Sequence, residues 1–174
     1  AAATAISTGR KTQNGRIAMN HDGTKNLTTI LELANINGYK TGLIATSHLT
    51  HATPACFAAH EKNRNNYIAI GEDFFYTKPD LMYGGGSSEK YLGNYINDFK
   101  NEGYNYISEK IDLANDSINN LPVLGLFSPK SFSKWQDLPE NASTPFLSLM
   151  ASHAIKLLES YQPFFLMIEA SQID

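Results

Sequence analysis

The stretch from Thr41 to Arg64 constrains the fold more than any other part of the chain. It opens with an apolar run centred on Leu43-Ile44-Ala45, passes through a polar turn and continues into a segment with helical character. A short, nearly continuous apolar run is typical of a parallel strand that is covered on both faces. Because ligands bind outside the carboxyl ends of such strands, we expect chemistry in the polar turn.

The rest of the chain alternates between strand-like and helix-like segments. Strands are predicted at residues 40–46, 80–83, 104–108, 121–127 and 164–168. Helices are predicted at residues 1–8, between Asn26 and Gly38, and at about 64–75, 89–101 and 111–118. Two further helices are predicted to begin at Thr53 and at Thr144. Such alternation predicts an α/β fold with a mostly parallel central sheet and helices on both faces. We expect residues 1–174 to form a single α/β domain.

The composition excludes several classes of function. The net charge is −3, and the 14 Lys and Arg residues are scattered, so we expect no nucleic-acid partner. No apolar run approaches the roughly 18 residues of a membrane span. The chain has 1 cysteine, Cys56, which excludes an internal disulfide, and we interpret it as a small buried residue.

Two carboxylates follow the last predicted strand. Glu169 stands at its carboxyl end, and Asp174 follows in what must be a loop. Carboxylates at a strand exit are good ligands for hard cations. The alternative is that they cap a following helix, and the residues alone leave both interpretations open.

The polar turn after the first strand carries further candidates. His48 and His51 are the histidines of this turn, and Thr53 precedes Pro54 in the arrangement of an N-cap and a first helical residue. Arg64 would return to the strand exit only if the helix broke, for which residues 63–66 are the predicted place. Arginine binds phosphate through two nitrogens.

Two other segments are interpreted as structural. Gly84-Gly85-Gly86 follows a strand but lacks the spacing of a dinucleotide-binding loop and the Lys-Ser/Thr of a P-loop, so we interpret it as a turn. Residues 128–143 are rich in Ser, Pro and Asn and are predicted to be a surface excursion.

Several short motifs follow one another in order along the whole chain. They are Ala3-Thr4-Ala5-Ile6-Ser7-Thr8-Gly9 with Lys11-Thr12, Gly42-Leu43-Ile44-Ala45-Thr46-Ser47, His51-Ala52-Thr53-Pro54-Ala55 with Ala58-Ala59-His60, Gly84-Gly85-Gly86, and Phe164-Phe165-Leu166-Met167-Ile168-Glu169 with Ser171-Gln172-Ile173-Asp174. Each motif is modest, but the ordered set resembles the alkaline phosphatase family. Residues 90–142 match that pattern weakly.

The resemblance implies roles for five residues. Thr53 would supply its hydroxyl and Glu169 its carboxylate to Mg²⁺, and Asp174 would bind Zn²⁺. Arg64 would hold the phosphate oxygens as a bidentate clamp. His51 stands where the family carries Asp or His, near the magnesium site without binding the ion. A neutral imidazole there attracts a hard cation less than a carboxylate does.

The resemblance also implies an activity and a setting. The reaction would be hydrolysis of phosphate monoesters through a phosphoserine intermediate, in a periplasmic or secreted homodimer. The nucleophilic serine of the family pattern would precede Ala1, and further zinc ligands would follow Asp174. We therefore expect part of a larger enzyme, inactive alone, whose sheet has open edges. Such a segment would either self-associate or be ordered only as a piece of its folded parent.

Two other functions remain open. The first is a related phosphodiesterase, sulfatase or phosphomutase, which would share the metal core but not the full set of motifs. The second is a non-catalytic binding domain that kept the fold and lost its site, as the missing serine would allow. An Asp-Ser pair directly upstream of Ala1 in the gene would decide against the second.

Overall fold

A computed structural model describes residues 1–115, 118–137 and 143–171. Its centre is a sheet of five strands in the order β3-β4-β2-β1-β5, with every neighbouring pair parallel. The strands are β1 (Lys40–His48), β2 (Leu81–Gly85), β3 (Asn105–Ile107), β4 (Val123–Leu126) and β5 (Phe164–Glu169). The predicted α/β class with a parallel sheet is confirmed.

Helices cover both faces of the sheet. Those of the described residues are α1 (Ala2–Thr8), α2 (Ile30–Ile36), α3 (Ala52–Ala58), α4 (Tyr67–Thr77), α5 (Ile96–Asn101), α6 (Lys110–Ala114) and α7 (Leu147–Glu159), with 3-10 turns at Leu92–Tyr95 and Trp135–Asp137. One core cluster joins the sheet to α1–α5, and a second joins its other face to α6 and α7. No helix of the described residues is long and apolar enough to cross a membrane.

Strand β1 positions the candidate site. Leu43 and Ile44 are fully buried on opposite faces, in the two different core clusters, and burial of each side chain stabilises the fold by about 1.5–3 kcal/mol. The strand lies between β2 and β5, with Ala45 paired to Glu169. The last residues of β1 and the end of β5 therefore lie at the same edge of the sheet.

Several predicted helix starts were wrong. Helix α4 begins at Tyr67 rather than at about 64, α5 at Ile96 rather than at about 89, and α7 at Leu147 rather than at Thr144. Helix α2 is capped by Thr29 rather than Asn26, because Thr29 and Glu32 form a reciprocal capping box. Helix α3 begins one residue before Thr53 and has His51 at its N-cap position, without a side-chain cap hydrogen bond. Thr53 therefore lies within the first turn and does not cap the helix.

Most residues of the predicted surface segment 128–143 that the structure describes are exposed, but Phe132 is an exception. The Ser131 hydroxyl accepts a hydrogen bond from the His48 backbone N–H at 3.1 Å. The Phe132 N–H donates to the Thr46 carbonyl at 2.9 Å, and the Phe132 side chain is buried. This segment therefore closes over the carboxyl end of β1, while residues 138–142 lie outside the described residues.

The glycine run is not a turn as predicted, because Gly84 and Gly85 continue strand β2. A Cβ atom on Gly85 would overlap the Lys130 backbone carbonyl oxygen. We expect Gly85→Ala to lower the free energy of unfolding by about 3 kcal/mol, measured by urea denaturation. Gly42→Ala is the control, because its Cβ would meet flexible leucine side chains. An equal loss in both variants would contradict this assignment.

Strand β5 is an edge strand of the described sheet. Its residues Phe164 to Met167 are only partly buried, and Ile168 is 43% exposed. Exposed apolar edges are templates for association with another chain. The predicted open edge is thus present on the β5 side.

We expect the 174-residue chain to self-associate through this edge. Ile168→Lys should shift it toward monomer in sedimentation velocity, because a charged side chain on an edge strand opposes pairing. Ile155→Lys, at a residue of α7 that is 45% exposed, is the matched control and should leave the distribution unchanged. A compact monomer at all concentrations for the unmodified chain would contradict the expectation.

Candidate functional site

A cavity of about 140 Å³ lies beside the first turn of α3. It brings together Thr53 and Arg64, which were selected from the sequence as separate candidates. The other lining residues are Ala1, Ala2, Ala3, Gly15, Arg16, Ile17, Ala52 and Cys56. The cavity therefore presents a hydroxyl and guanidinium groups, which is a suitable lining for an anion.

Arg64 reaches this cavity because α3 is short. The helix ends at Ala58, and Ala59 is already extended, so the break comes earlier than the predicted residues 63–66. Beyond it, Ile17 and Glu61 exchange backbone hydrogen bonds of 2.8 and 3.1 Å, and the Arg64 N–H donates to the Gly15 carbonyl at 2.7 Å. The segment after α1 thus turns Arg64 back toward the start of α3.

The side chains of Arg64 and His51 are joined directly. An Arg64 terminal nitrogen lies 3.1 Å from His51 Nε2. A guanidinium can only donate hydrogen bonds, so Nε2 must accept this one. The imidazole therefore carries its proton on Nδ1 and holds one edge of the guanidinium, which fixes the direction of the other edge.

Cys56 lies in the wall of the cavity and is buried, which confirms its interpretation as a small buried residue. Its sulfur lies 3.2 Å from the Thr4 hydroxyl. Burial raises the pKa of the Cys56 thiol above its ordinary value. A raised pKa disfavours the thiolate, so Cys56 is a poor nucleophile.

Glu169 lies at the end of β5, beside the end of β1. The Ser47 hydroxyl donates a hydrogen bond to Glu169 Oε2 at 3.4 Å. The buried hydroxyls of Thr46 and Ser171 have no hydrogen-bond partner among the described residues. The Glu169 carboxylate and the Ser47 hydroxyl beside it are oxygen donors of the kind that Mg²⁺ prefers. Among the described residues, Glu169 does not line the cavity of Thr53 and Arg64.

The zinc ligand predicted at Asp174 lies outside the described residues. Within the part of the chain that the structure describes, there is no group of three or more His, Cys, Asp or Glu residues that could hold a metal ion. Zinc sites need about three or four such ligands. The described residues therefore provide donors suited to magnesium but no zinc site.

An aromatic cluster lies next to His51 and was not found from the sequence. The ring of His48 stacks on Tyr91 at 4.2 Å between centroids and contacts Tyr67 at 4.9 Å and His51 at 5.2 Å. His48 Nδ1 lies 3.0 Å from the Thr50 hydroxyl. The cluster joins residues far apart in the chain, so no local pattern could indicate it.

The buried position of His48 makes the stability of the protein depend on pH. Burial is the main cause, with the nearby charges of Lys90 and Arg64 adding to it, and together they lower the pKa of His48 from 6.5 to about 4. The folded state resists protonation that the unfolded state accepts, so stability falls as the pH drops from about 6.5 to about 4. We expect a loss of about 3 kcal/mol over that range.

Urea denaturation of His48→Phe at several pH values tests this dependence. The variant should lose that part of the pH slope, because its ring stacks on Tyr91 without titrating. Thr50→Val should keep the slope, since it removes the hydrogen-bond partner and leaves the imidazole in place. The same slope in His48→Phe as in the unmodified protein would contradict the assignment.

Comparison with known proteins places this arrangement in context. The family profile described as "Alkaline phosphatase" matches residues 1–73 and 70–174. Alkaline phosphatase 3 of Bacillus subtilis is 41% identical to the chain over an alignment that covers 100% of the chain and 38% of the relative. The chain thus spans about two-fifths of that relative's length.

Solved structures give the same family. The cold-active alkaline phosphatase from a psychrophilic Shewanella species superposes with a TM-score of 0.90 and 36% identity, covering 100% of this chain and 42% of that chain. A second solved structure is a histidine-to-aspartate variant of the alkaline phosphatase from the Antarctic bacterium TAB5, with magnesium bound in its M3 site. It superposes with a TM-score of 0.84 and 30% identity, covering 98% of this chain and 49% of that chain.

Proposed function

The chain belongs to the alkaline phosphatase family, and on this premise we propose that the complete gene product hydrolyses phosphate monoesters, with Arg64 as its phosphate-binding residue. The observation that carries the proposal is the cavity beside α3, where Arg64 and Thr53 meet. His51 holds one edge of the Arg64 guanidinium. A guanidinium carries five N–H donors, so those not used by His51 could pair with two phosphate oxygens.

Arg64 acts on the charge of the transferring group. Charge develops on the equatorial oxygens during phosphoryl transfer, and a fixed guanidinium beside them stabilises it without reorganisation. Cys56, in the wall of the cavity, is buried, and electrostatic interactions gain strength next to such surroundings of low dielectric constant.

We assign Thr53 and Glu169 to the magnesium ion that the family resemblance implies. Bound metal ions would neutralise charge on the phosphate and activate the attacking and leaving oxygens. The Ser47 hydroxyl donates to the Glu169 carboxylate and orients it, whereas the place of His51 near this ion is assigned by resemblance alone. Asp174 is assigned to zinc by resemblance alone.

The proposed reaction proceeds through a phosphoserine intermediate. The serine that the family pattern implies would precede Ala1, and Ala1, Ala2 and Ala3 line the same cavity as Arg64. A residue preceding Ala1 would therefore lie near the proposed phosphate. Residues 1–174 alone contain neither that serine nor the full zinc ligand set, so we expect no activity from them.

The location and assembly of the protein are also proposals. A periplasmic or secreted protein and a homodimer follow from the family resemblance. A single domain over residues 1–174 likewise stays a prediction.

A panel of substrates tests the proposed reaction. The complete gene product should hydrolyse p-nitrophenyl phosphate with a kcat/KM well above those for bis-p-nitrophenyl phosphate and p-nitrophenyl sulfate. A preference for the diester or the sulfate would instead favour a related esterase. Absence of hydrolysis of all three by metal-loaded protein would favour a non-catalytic binding domain.

A further inference from the structure

His60 ties three separate parts of the chain to the segment that carries Arg64. Its Nδ1 lies 2.9 Å from the Ala18 carbonyl oxygen, and its Nε2 lies 2.8 Å from Glu32 Oε1. Its backbone N–H donates to Asp73 Oδ2 at 2.7 Å. The imidazole is largely buried, with 13% of its side chain exposed.

The hydrogen-bond partners fix how this ring is used. A carbonyl oxygen only accepts, so His60 Nδ1 donates to Ala18. The other nitrogen faces a carboxylate, which favours a proton on it as well. Burial lowers the pKa of His60, but the hydrogen bonds with Glu32 and Ala18 outweigh it and leave the pKa above its ordinary value. The ring therefore bridges two acceptors.

The contact with Ala18 links His60 to the backbone that supports Arg64. Ala18 has a φ of 39°, a left-handed conformation that is costly for a residue with a Cβ atom. Its N–H donates to the Thr4 hydroxyl, and its carbonyl accepts from the Leu27 N–H and from His60. These contacts hold the strained residue in place.

The segment from Gly15 to Ala18 also pairs with the loop of residues 60–64, which carries Arg64. Ile17 pairs with Glu61, and Gly15 accepts from the Arg64 N–H. His60 is therefore the point where the loop is fixed against both Ala18 and Glu32, directly before its pairing with that segment begins. A change at His60 would move the loop as a unit and turn the Arg64 guanidinium.

We propose that His60 is a positioning residue, which sets the orientation of the Arg64 guanidinium by fixing the loop against Ala18 and Glu32. The inference rests on the proposed role of Arg64 in binding phosphate. His60 does not line the cavity and acts through the backbone. Its loss should weaken the binding of phosphate itself, because a misdirected guanidinium loses its bidentate geometry.

Competitive inhibition by inorganic phosphate measures this role in the complete, metal-loaded gene product. A displacement of about 1 Å can cost up to about a hundredfold, and we expect His60→Ala to raise the Ki for phosphate about tenfold. His60→Asn should restore part of the affinity, because its amide can donate to Ala18. Glu32→Gln keeps an acceptor for the Thr29 N–H and should raise the Ki for phosphate less than His60→Ala does. It is the variant to measure if His60→Ala fails to fold.

Leu157→Ala separates positioning from general stability. Leu157 is buried in the core cluster on the opposite face of the sheet, so its truncation should lower Tm without changing the Ki. A purely structural role for His60 predicts the same pattern for His60→Ala. An unchanged Ki in His60→Ala would overturn the proposal.

A double-mutant cycle identifies the route of the effect. In an Arg64→Ala background, His60→Ala should have no further effect on the Ki, because both substitutions remove the same interaction. Fully additive effects would overturn the positioning role. If Arg64→Ala alone leaves the Ki unchanged, the proposed function of Arg64 fails, which is distinct from a failure confined to His60.

Discussion

Replacement of Arg64 by alanine is expected to lower kcat/KM for a phosphate monoester by about two to three orders of magnitude in the complete gene product. This is the scale reported for loss of one preorganised donor to a developing charge. Arg64 is the residue that the structure brings to the cavity beside Thr53 and orients through His51. Arg64→Lys should be intermediate, since it keeps the charge and loses the planar pair of donors.

Arg16→Ala is the matched control for this experiment. Arg16 lines the same cavity, but a terminal nitrogen of its guanidinium donates to the Gln13 side chain at 2.9 Å. If only the summed positive charge of the cavity mattered, both substitutions would lower kcat/KM alike. We expect the Arg64 variant to be far more impaired, and equal losses would contradict a directed phosphate clamp.

Replacement of Glu169 by glutamine should produce the second large effect. Loss of an outer partner of a metal ligand typically costs about 10–100-fold in metal affinity, so loss of a carboxylate ligand should cost at least that much. Glutamine preserves the size of the side chain and removes its charge. The apparent affinity for Mg²⁺ and the activity at low Mg²⁺ should both fall, with activity restored in part at high Mg²⁺.

Two further variants test whether the effect on Mg²⁺ binding is specific to Glu169. Ser47→Ala removes the hydroxyl that donates to Glu169 and should weaken Mg²⁺ binding less than Glu169→Gln does. Glu159→Gln, at the exposed end of α7, should change neither activity nor Mg²⁺ dependence. An unchanged Mg²⁺ titration in Glu169→Gln would contradict its assignment as a ligand.

The parts of the fold that follow from local pattern were predicted well. The apolar run of β1 identified a buried parallel strand, because both faces of such a strand must be apolar. Alternation of strands and helices gave the fold class. The boundaries were less accurate, and the Thr29 cap was missed although Thr and Glu three residues apart form a readable capping-box signal.

The site was only partly predictable, because its geometry depends on contacts between distant residues. The sequence identified Arg64 and Thr53, but their meeting depends on the break after Ala58 and on pairing between Ile17 and Glu61. The bond between His60 and Glu32 joins residues far apart in the chain. No periodicity or motif spacing carries information about such a contact.

The most direct test of the account is hydrolysis of p-nitrophenyl phosphate at alkaline pH. The rate should be measured for the complete gene product loaded with Zn²⁺ and Mg²⁺, for the same protein after chelation, and for residues 1–174 alone. We predict activity only in the complete, metal-loaded protein, with loss on chelation and recovery when the metals return. Activity in residues 1–174 alone would contradict the assignment of the nucleophile, and an inactive complete protein with its metals bound would contradict the phosphatase function itself.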